Sequence, residues 1–332
     1  MKKVKAMLMN SKPEVFGSHN KTTFMITSRI LILLNLFLSL SASSIGQRVA
    51  DSRVADTNFY YAIKKPIYKS GQGSVIALDE AHFNYHTLSG LYFAFGNLLQ
   101  NDGYILKAGR SSFTSSYLSK IKILVIANAL PDTSDWKLPA RSAFTKEEVN
   151  DLNKWVSGGG SLFLIADHMP FPGAASQIAN SFGFNLINGY ALKKDRKPEL
   201  FSRNLGNLTS NKITNGRNKS EQVDSIRIFA GHAFIAPPSA TIISKLDDSY
   251  NIFLPTYARK INDSIPVFSG LGFVNGAFME YGLGRIVMFG EAAIFSAQLA
   301  GEQQGKMGMN NDLAKENPQL LLNIIHWLDR KL

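Results

Sequence analysis

The sequence has no cysteine among its 332 residues. Disulfides, thiolate metal sites and every mechanism with a cysteine nucleophile are thereby excluded. Long apolar runs are also missing. The most apolar stretch, Ile30–Leu40, has eleven residues, against the about 20 that a membrane-spanning helix needs, so no permanent membrane anchor is expected. There is no G-x-S-x-G elbow for an α/β-hydrolase serine and no G-x-x-x-x-G-K-[ST] loop for a nucleotide phosphate. Gly158-Gly159-Gly160 precedes a strand instead of following one, and reads as a helix stop. No regular element carries a basic stripe interleaved with aromatics, which removes nucleic acid from the expected partners. No internal repeat is present.

What is there is a chain with 45% hydrophobic residues, enough to fill the core of one large or two modest domains. Its net charge of +11 is unevenly spread. Residues 1–46 hold six basic residues and one acidic; residues 190–219 hold eight basic (Lys193, Lys194, Arg196, Lys197, Arg203, Lys212, Arg217, Lys219) and two acidic. The remainder has twenty-two of each sign. The basic character therefore belongs to a leader and one segment, and an anionic partner would touch that segment.

Arg29, the apolar stretch and Ser41-Ala42-Ser43-Ser44-Ile45-Gly46 follow the plan of a secretory signal: positive flank, short apolar run, small-residue cleavage region. Cleavage after Gly46 is expected, leaving Gln47 first, with export to a periplasmic or extracellular space. Met25 is an alternative first residue, because Met1–Phe24 is long and polar for a signal. Without a cysteine after the apolar run, a lipoprotein anchor is excluded.

Residues 47–73 read as an extended lead-in. From Ser74 onward, short β-branched runs alternate with helical spacings. Strands are expected at Ser74–Leu78, Tyr104–Lys107, Ile121–Ala127 and Ser161–Ala166, and helices at Leu88–Gln100, Lys146–Val156 and Gly173–Phe182. Thr145 with Glu148 three residues on is a capping-box signature. Pro266–Tyr281 and Arg285–Gly290 flank Gly282-Leu283-Gly284 as a hairpin, and Asn317-Pro318 opens a last helix. This order predicts one α/β domain over 74–332, with a mostly parallel sheet covered on both faces and a C-terminal hairpin. A polar insertion at about 190–235 is expected as a flexible loop or small subdomain.

In parallel sheets, ligands gather at the carboxyl ends of the strands. Three strands here end in ionisable groups: Asp79-Glu80-Ala81-His82 through to His86, then Asp167-His168, then Gly290-Glu291. A parallel sheet brings all three to one rim. Such a set suits a hydrolase in which Glu80 or Asp167 is the general acid/base, His82 and His168 are bases or metal ligands, and Glu291 orients or ligates. His82, His168 and Asp167 are the candidate ligands of one divalent ion. The same residues also suit a polar pocket without catalysis, or loop ordering in a binding or scaffold module of a cell-envelope assembly. Met307–Asn311 is a candidate lid. His326, beside Trp327 in the last helix, reads as a packed histidine, and His232 carries little signal.

Val156 to Leu162, with its Gly-rich stop and a following strand that ends in His168, resembles the class I glutamine amidotransferase-like superfamily. Within it the chain is similar to an uncharacterised bacterial branch and to trehalose-utilisation-type proteins. Asp79-Glu80-Ala81-His82, Ile165 to Gly173, Gly290-Glu291-Ala292-Ala293, Met307-Gly308-Met309-Asn310 and Asn323 to Leu328 look like recurrent motifs of that branch. The resemblance implies a flavodoxin-like three-layer α/β/α fold. It does not imply glutamine hydrolysis, because His168 or Met169 occupies the turn where the superfamily places its cysteine. Related exported members imply a carbohydrate or another polar small molecule as the ligand.

Overall fold

The computed structural model describes residues 53–332, apart from Asp135 and Arg196. The expected signal and leader lie outside the described residues. Among the described residues, no helix is long and apolar enough to cross a membrane.

Five strands form the parallel heart of the molecule: β2 (Val75–Asp79), β3 (Ile105–Gly109), β4 (Ile123–Ala127), β5 (Ser161–Ile165) and β15 (Gly284–Phe289). They lie in the order β3-β2-β4-β5-β15, every neighbouring pair parallel. Their residues are mostly Val, Ile, Leu and Phe, and β4 and β5 are buried along their whole length. That is the pattern of strands covered on both faces. The sheet continues antiparallel through β14 (Val274–Tyr281), which pairs with β15 as a hairpin, and then β10 (Phe234–Ile235) and β6 (Asn185–Leu186). β11 (Thr241–Lys245) also pairs with β14. Gly282 sits in the hairpin turn at φ 57°, a left-handed conformation that glycine adopts without a Cβ clash.

Helices α1 (Phe93–Asn101) and α6 (Asn317–Leu328) cover one face of the sheet. Helices α3 (Lys146–Ser157) and α4 (Phe171–Ser181) cover the other, where the single turn α2 (Ser115–Leu118) packs on α3. The result is a three-layer α/β/α domain, the class that the alternation of elements predicts. α6 is buried almost all round, from Asn317 to Leu328, because it is covered from outside by the segment after residue 190.

That segment is an ordered layer. It contains β7 (Tyr190–Lys193), β8 (Glu199–Ser202), the single turn α5 (Lys212–Asn215) and β9 (Ser225–Ile228). β8 and β9 form a hairpin. Phe201, Leu208, Ile213, Val223, Ile226 and Ile228 join the core cluster that also holds Leu320, Leu321, Ile324 and Trp327. Asn323 fixes the seam by donating to the carbonyls of Ile213 and Glu221, both at 2.8 Å. β7 forms a small edge sheet with β12 (Tyr250–Phe253) and β13 (Val267–Ser269). The expected long strand Pro266–Tyr281 is thus two strands in different sheets, divided at Gly270–Phe273, where Phe273 N bonds Gly270 O.

The candidate lid is not free to move as one. Gly305–Gly308 is β17, paired with β16 (Ala297–Ala300), which pairs in turn with β1 (Arg53–Ala55). Met309 N bonds Ser296 O at 2.6 Å, and Asn310 donates to Gln298 O and to Asp56, each at 3.0 Å. A ladder and three further bonds hold what composition alone suggested was mobile.

Candidate functional site

The first strand-end cluster follows β2. Asp79, fully buried, sits at the strand's last position. Its carboxylate lies 3.0 Å from His82 Nδ1, and His82 Nε2 lies 3.0 Å from Glu148 Oε1. The imidazole is wedged between Phe113 and Phe144, with ring centroids at 4.7 Å in both cases. Burial alone would push its pKa down, but the bonds and charges of Asp79 and Glu148 reverse this and hold it above the ordinary value. Glu148 is also the third residue of the α3 capping box with Thr145. His82 is therefore a clamp between the end of β2 and the start of α3. Glu80 is engaged locally as well: it accepts from Leu88 N at 2.9 Å and faces Arg110 at 3.5 Å.

The other two clusters do meet. β5 and β15 are adjacent and parallel, in register from Ser161 with Arg285 to Ile165 with Phe289. Asp167 and Glu291 follow them side by side. Glu291 is fully buried and accepts from the amides of Ala293 (2.7 Å) and Ile294 (3.0 Å). Burial and then the Asp167 charge drive its carboxyl well above the usual range, the two amides pulling back only in part. Burial raises Asp167 too, against the opposing pull of His168, Arg53 and Asn128. Glu291, raised by burial and by the Asp167 charge beside it, holds a proton that an isolated carboxyl would lose.

Around this pair stand groups that the sequence did not single out. Asn128, at the end of β4, adopts φ 58°, a left-handed conformation that asparagine tolerates better than most residues. Its Oδ1 accepts from Asp167 N at 2.8 Å, and its Nδ2 lies 3.3 Å from His86 Nδ1. Tyr92 donates to Ala292 O at 3.0 Å. His232, fully buried, donates from Nδ1 to Ala166 O at 2.9 Å, which leaves the Nε2 lone pair unpartnered. Burial pushes both His86 and His232 down to about 3, so each is neutral at ordinary pH. His168 donates from Nδ1 to Met169 O at 2.9 Å and stacks on Tyr190 at 4.4 Å. A sequence signal for His232 did exist in its glycine neighbour. A Cβ on Gly231 would lie 2.3 Å from Gly290 O, so only glycine lets this segment run against the end of β15.

The structure thus brings Asp167, His168 and Glu291 together and places Glu80 and His82 in separate local networks. The three-residue metal set His82, His168 and Asp167 is not assembled, because both His82 nitrogens are taken by carboxylates. Among the described residues, no group of three or more His, Asp or Glu side chains is arranged to hold a metal ion.

No family model and no curated protein matches the sequence. Solved structures do match. The chain is similar to the mmIFT52 N-terminal domain at TM-score 0.54 and 16% identity, over 77% of this chain and 97% of that domain. A ThuA-like protein from Bacteroides uniformis aligns at TM-score 0.41 and 13% identity, over 82% of this chain and 94% of that one. A GMP synthase protein from Thermoplasma acidophilum aligns at TM-score 0.39 and 12% identity, over 78% of this chain and 94% of that one. What the first of these likenesses establishes is the fold, an α/β domain.

Proposed function

We propose that this chain is an exported, glutamine amidotransferase-like α/β protein that recognises a hydroxyl-rich, carbohydrate-like ligand at its strand ends. The observation that carries the reading is the Asp167–Glu291 pair. A carboxylic acid beside a carboxylate offers one donor and several acceptors at fixed positions, which is what a sugar hydroxyl requires. The neutral His232 adds an acceptor, and His168, next to Asp167 in the chain, is partly exposed. Without a cysteine at the turn, the thioester chemistry of amidotransferases has no nucleophile.

Calorimetric titration of the purified protein with neutral oligosaccharides tests the reading. Binding by one of them, weakened at least about tenfold by Asp167→Asn, is expected, since a lost charge-assisted bond costs about 1.5–3 kcal/mol. No saccharide binding at millimolar concentration, or binding that Asp167→Asn leaves unchanged, would return the site to a scaffold role in a cell-envelope assembly. Hydrolysis is the second reading, favoured by the raised pKa values of the two acids. Aryl glycoside cleavage with a bell-shaped pH profile, lost in both Asp167→Asn and Glu291→Gln, is its signature. Export is tested by the mass of the secreted protein, which should begin at Gln47.

A further inference from the structure

A cavity of about 910 Å³ lies between the edge sheet of β7, β12 and β13 and the β8–β9 hairpin. Four cations line it, Lys193, Lys194, Lys197 and Arg227, against two acids, Glu199 and Asp263. Their carboxylate partners hold them loosely. Lys193 and Lys197 share Asp195 at 3.9 Å, and Lys194 meets Asp248 at 3.4 Å. Arg227 is anchored through Nη1 to Asn311 at 2.6 Å and lies over the Phe229 ring, and its buried Nε has no partner. Among these cations Glu199 lines the same cavity, 8% exposed, its carboxyl facing the Tyr250 phenol and the Lys193 backbone. The apolar floor, Leu192 and Phe253, packs against Tyr190, the residue that stacks on His168.

We propose that this cavity binds an acidic saccharide, its carboxylate or phosphate seated between Lys193 and Arg227 and its hydroxyls on Glu199, Asn251 and Asn262. The anion is argued from this cavity alone; the sugar ring rests on the strand-end reading above. A neutral ligand would leave the excess of cations unanswered, and the volume exceeds what one small ion fills. Glu199 adds a pH response. Burial lifts its carboxyl to about 7 against the pull of Lys193 and Arg227, with the Tyr250 phenol facing it and Glu291 within electrostatic reach. As pH rises through 7 the cavity gains a negative charge, and affinity for an anion falls.

The test is titration of the full chain with trigalacturonate, glucose 1-phosphate and neutral maltotriose, at pH 6 and pH 8 and at two salt concentrations. The expected result is binding of an acidic probe, weaker in salt and at pH 8, and reduced about tenfold in Lys193→Gln/Lys194→Gln. Glu199→Gln should bind trigalacturonate, whose carboxylates are ionised throughout, equally at both pH values. Preference for trigalacturonate assigns a carboxylate ligand, and preference for glucose 1-phosphate a phosphate one. Maltotriose binding as tightly as either acid, unchanged affinity in the double variant, or no binding of the acidic probes overturns the proposal. Maltotriose binding that depends on Asp167 alone overturns it while leaving the strand-end reading intact. Acid binding that the lysine variant weakens, with no Asp167-dependent binding of maltotriose, upholds the anion site while overturning the strand-end reading.

Discussion

A histidine held between two carboxylates and a buried acid beside a carboxylate carry the same pH signature, because each keeps its proton to a higher pH in the folded protein than in the unfolded chain. His82 gains Asp79 and Glu148 on folding, and its pKa rises. Its contribution to stability is complete below the unfolded value of about 6.5 and is lost as pH climbs through the higher folded value. Glu148, lowered despite the burial that opposes it, contributes above its unfolded value and loses this as pH falls. His82→Asn should therefore cost most at mildly acid pH and least above pH 8, measured by urea unfolding at each pH. Glu291 behaves the other way from Glu148 and in the same direction as His82, because an acid whose folded pKa is raised costs stability once the unfolded chain ionises. Glu291→Gln keeps an acceptor for the Ala293 amide and removes the ionisation. Its melting temperature at pH 8 should exceed that of the parent by about 2–4 °C per kcal/mol recovered, and the gap should close towards pH 4. A lower melting temperature at pH 8 would place Glu291 as an ionised, fully satisfied cap.

At the scale of elements, the start of α3 does two tasks with one residue. Glu148 closes the capping box on Thr145, accepting from its backbone at 3.0 Å, and bonds His82 at the end of β2. Thr145→Ala should cost about 1 kcal/mol, the usual worth of a cap. Glu148→Ala also leaves a buried imidazole beside Asp79 with a broken partner, and should cost about 3 kcal/mol. Equal losses in denaturant unfolding would mean that the His82 bond adds nothing. This cap was legible in the sequence, as were the five parallel strands, because capping boxes and β-branched runs are local patterns. The rim was legible for the same reason: a buried strand that stops at Asp or Glu marks its own carboxyl end. Which side chains meet across the rim was not. His82 turns away to α3 without a local signature, and His232 arrives from 66 residues beyond Ala166, where Gly231 marks a close approach but not its partner. The layer after Tyr190 was hidden in a similar way. Its core residues, Phe201, Leu208, Ile213, Val223, Ile226 and Ile228, are spaced too irregularly among Asn and Lys to show a period, and they are buried only because α6 lies beneath them.

The titrating groups of the whole molecule combine into one stability profile. Above pH about 6.5 the signs agree: His82 loses its advantage, Glu199 holds its proton to about 7 while the unfolded chain has released its own, and Glu291 does so further still. Each makes unfolding easier as pH rises. Below about 4.5 the signs agree again in the other direction. Glu148 and Glu221, both lowered in the folded protein, give up their advantage as they protonate. His86 and His232 refuse protons down to about 3 while the unfolded chain has taken them. Between these limits the terms oppose. The two neutral histidines favour higher pH, and Glu199, Glu291 and Asp167 favour lower. The melting temperature should therefore peak on the mildly acid side, between about pH 4.5 and 6.5, with limbs that fall both ways. Differential scanning fluorimetry from pH 3 to 9 reads this directly, and a maximum at pH 8 or above would contradict the assignment of raised carboxyls. The double variant Glu199→Gln/Glu291→Gln should lift the alkaline limb and move the maximum upward. His232→Asn, which has no imidazole to protonate in the unfolded chain, should flatten the acid limb.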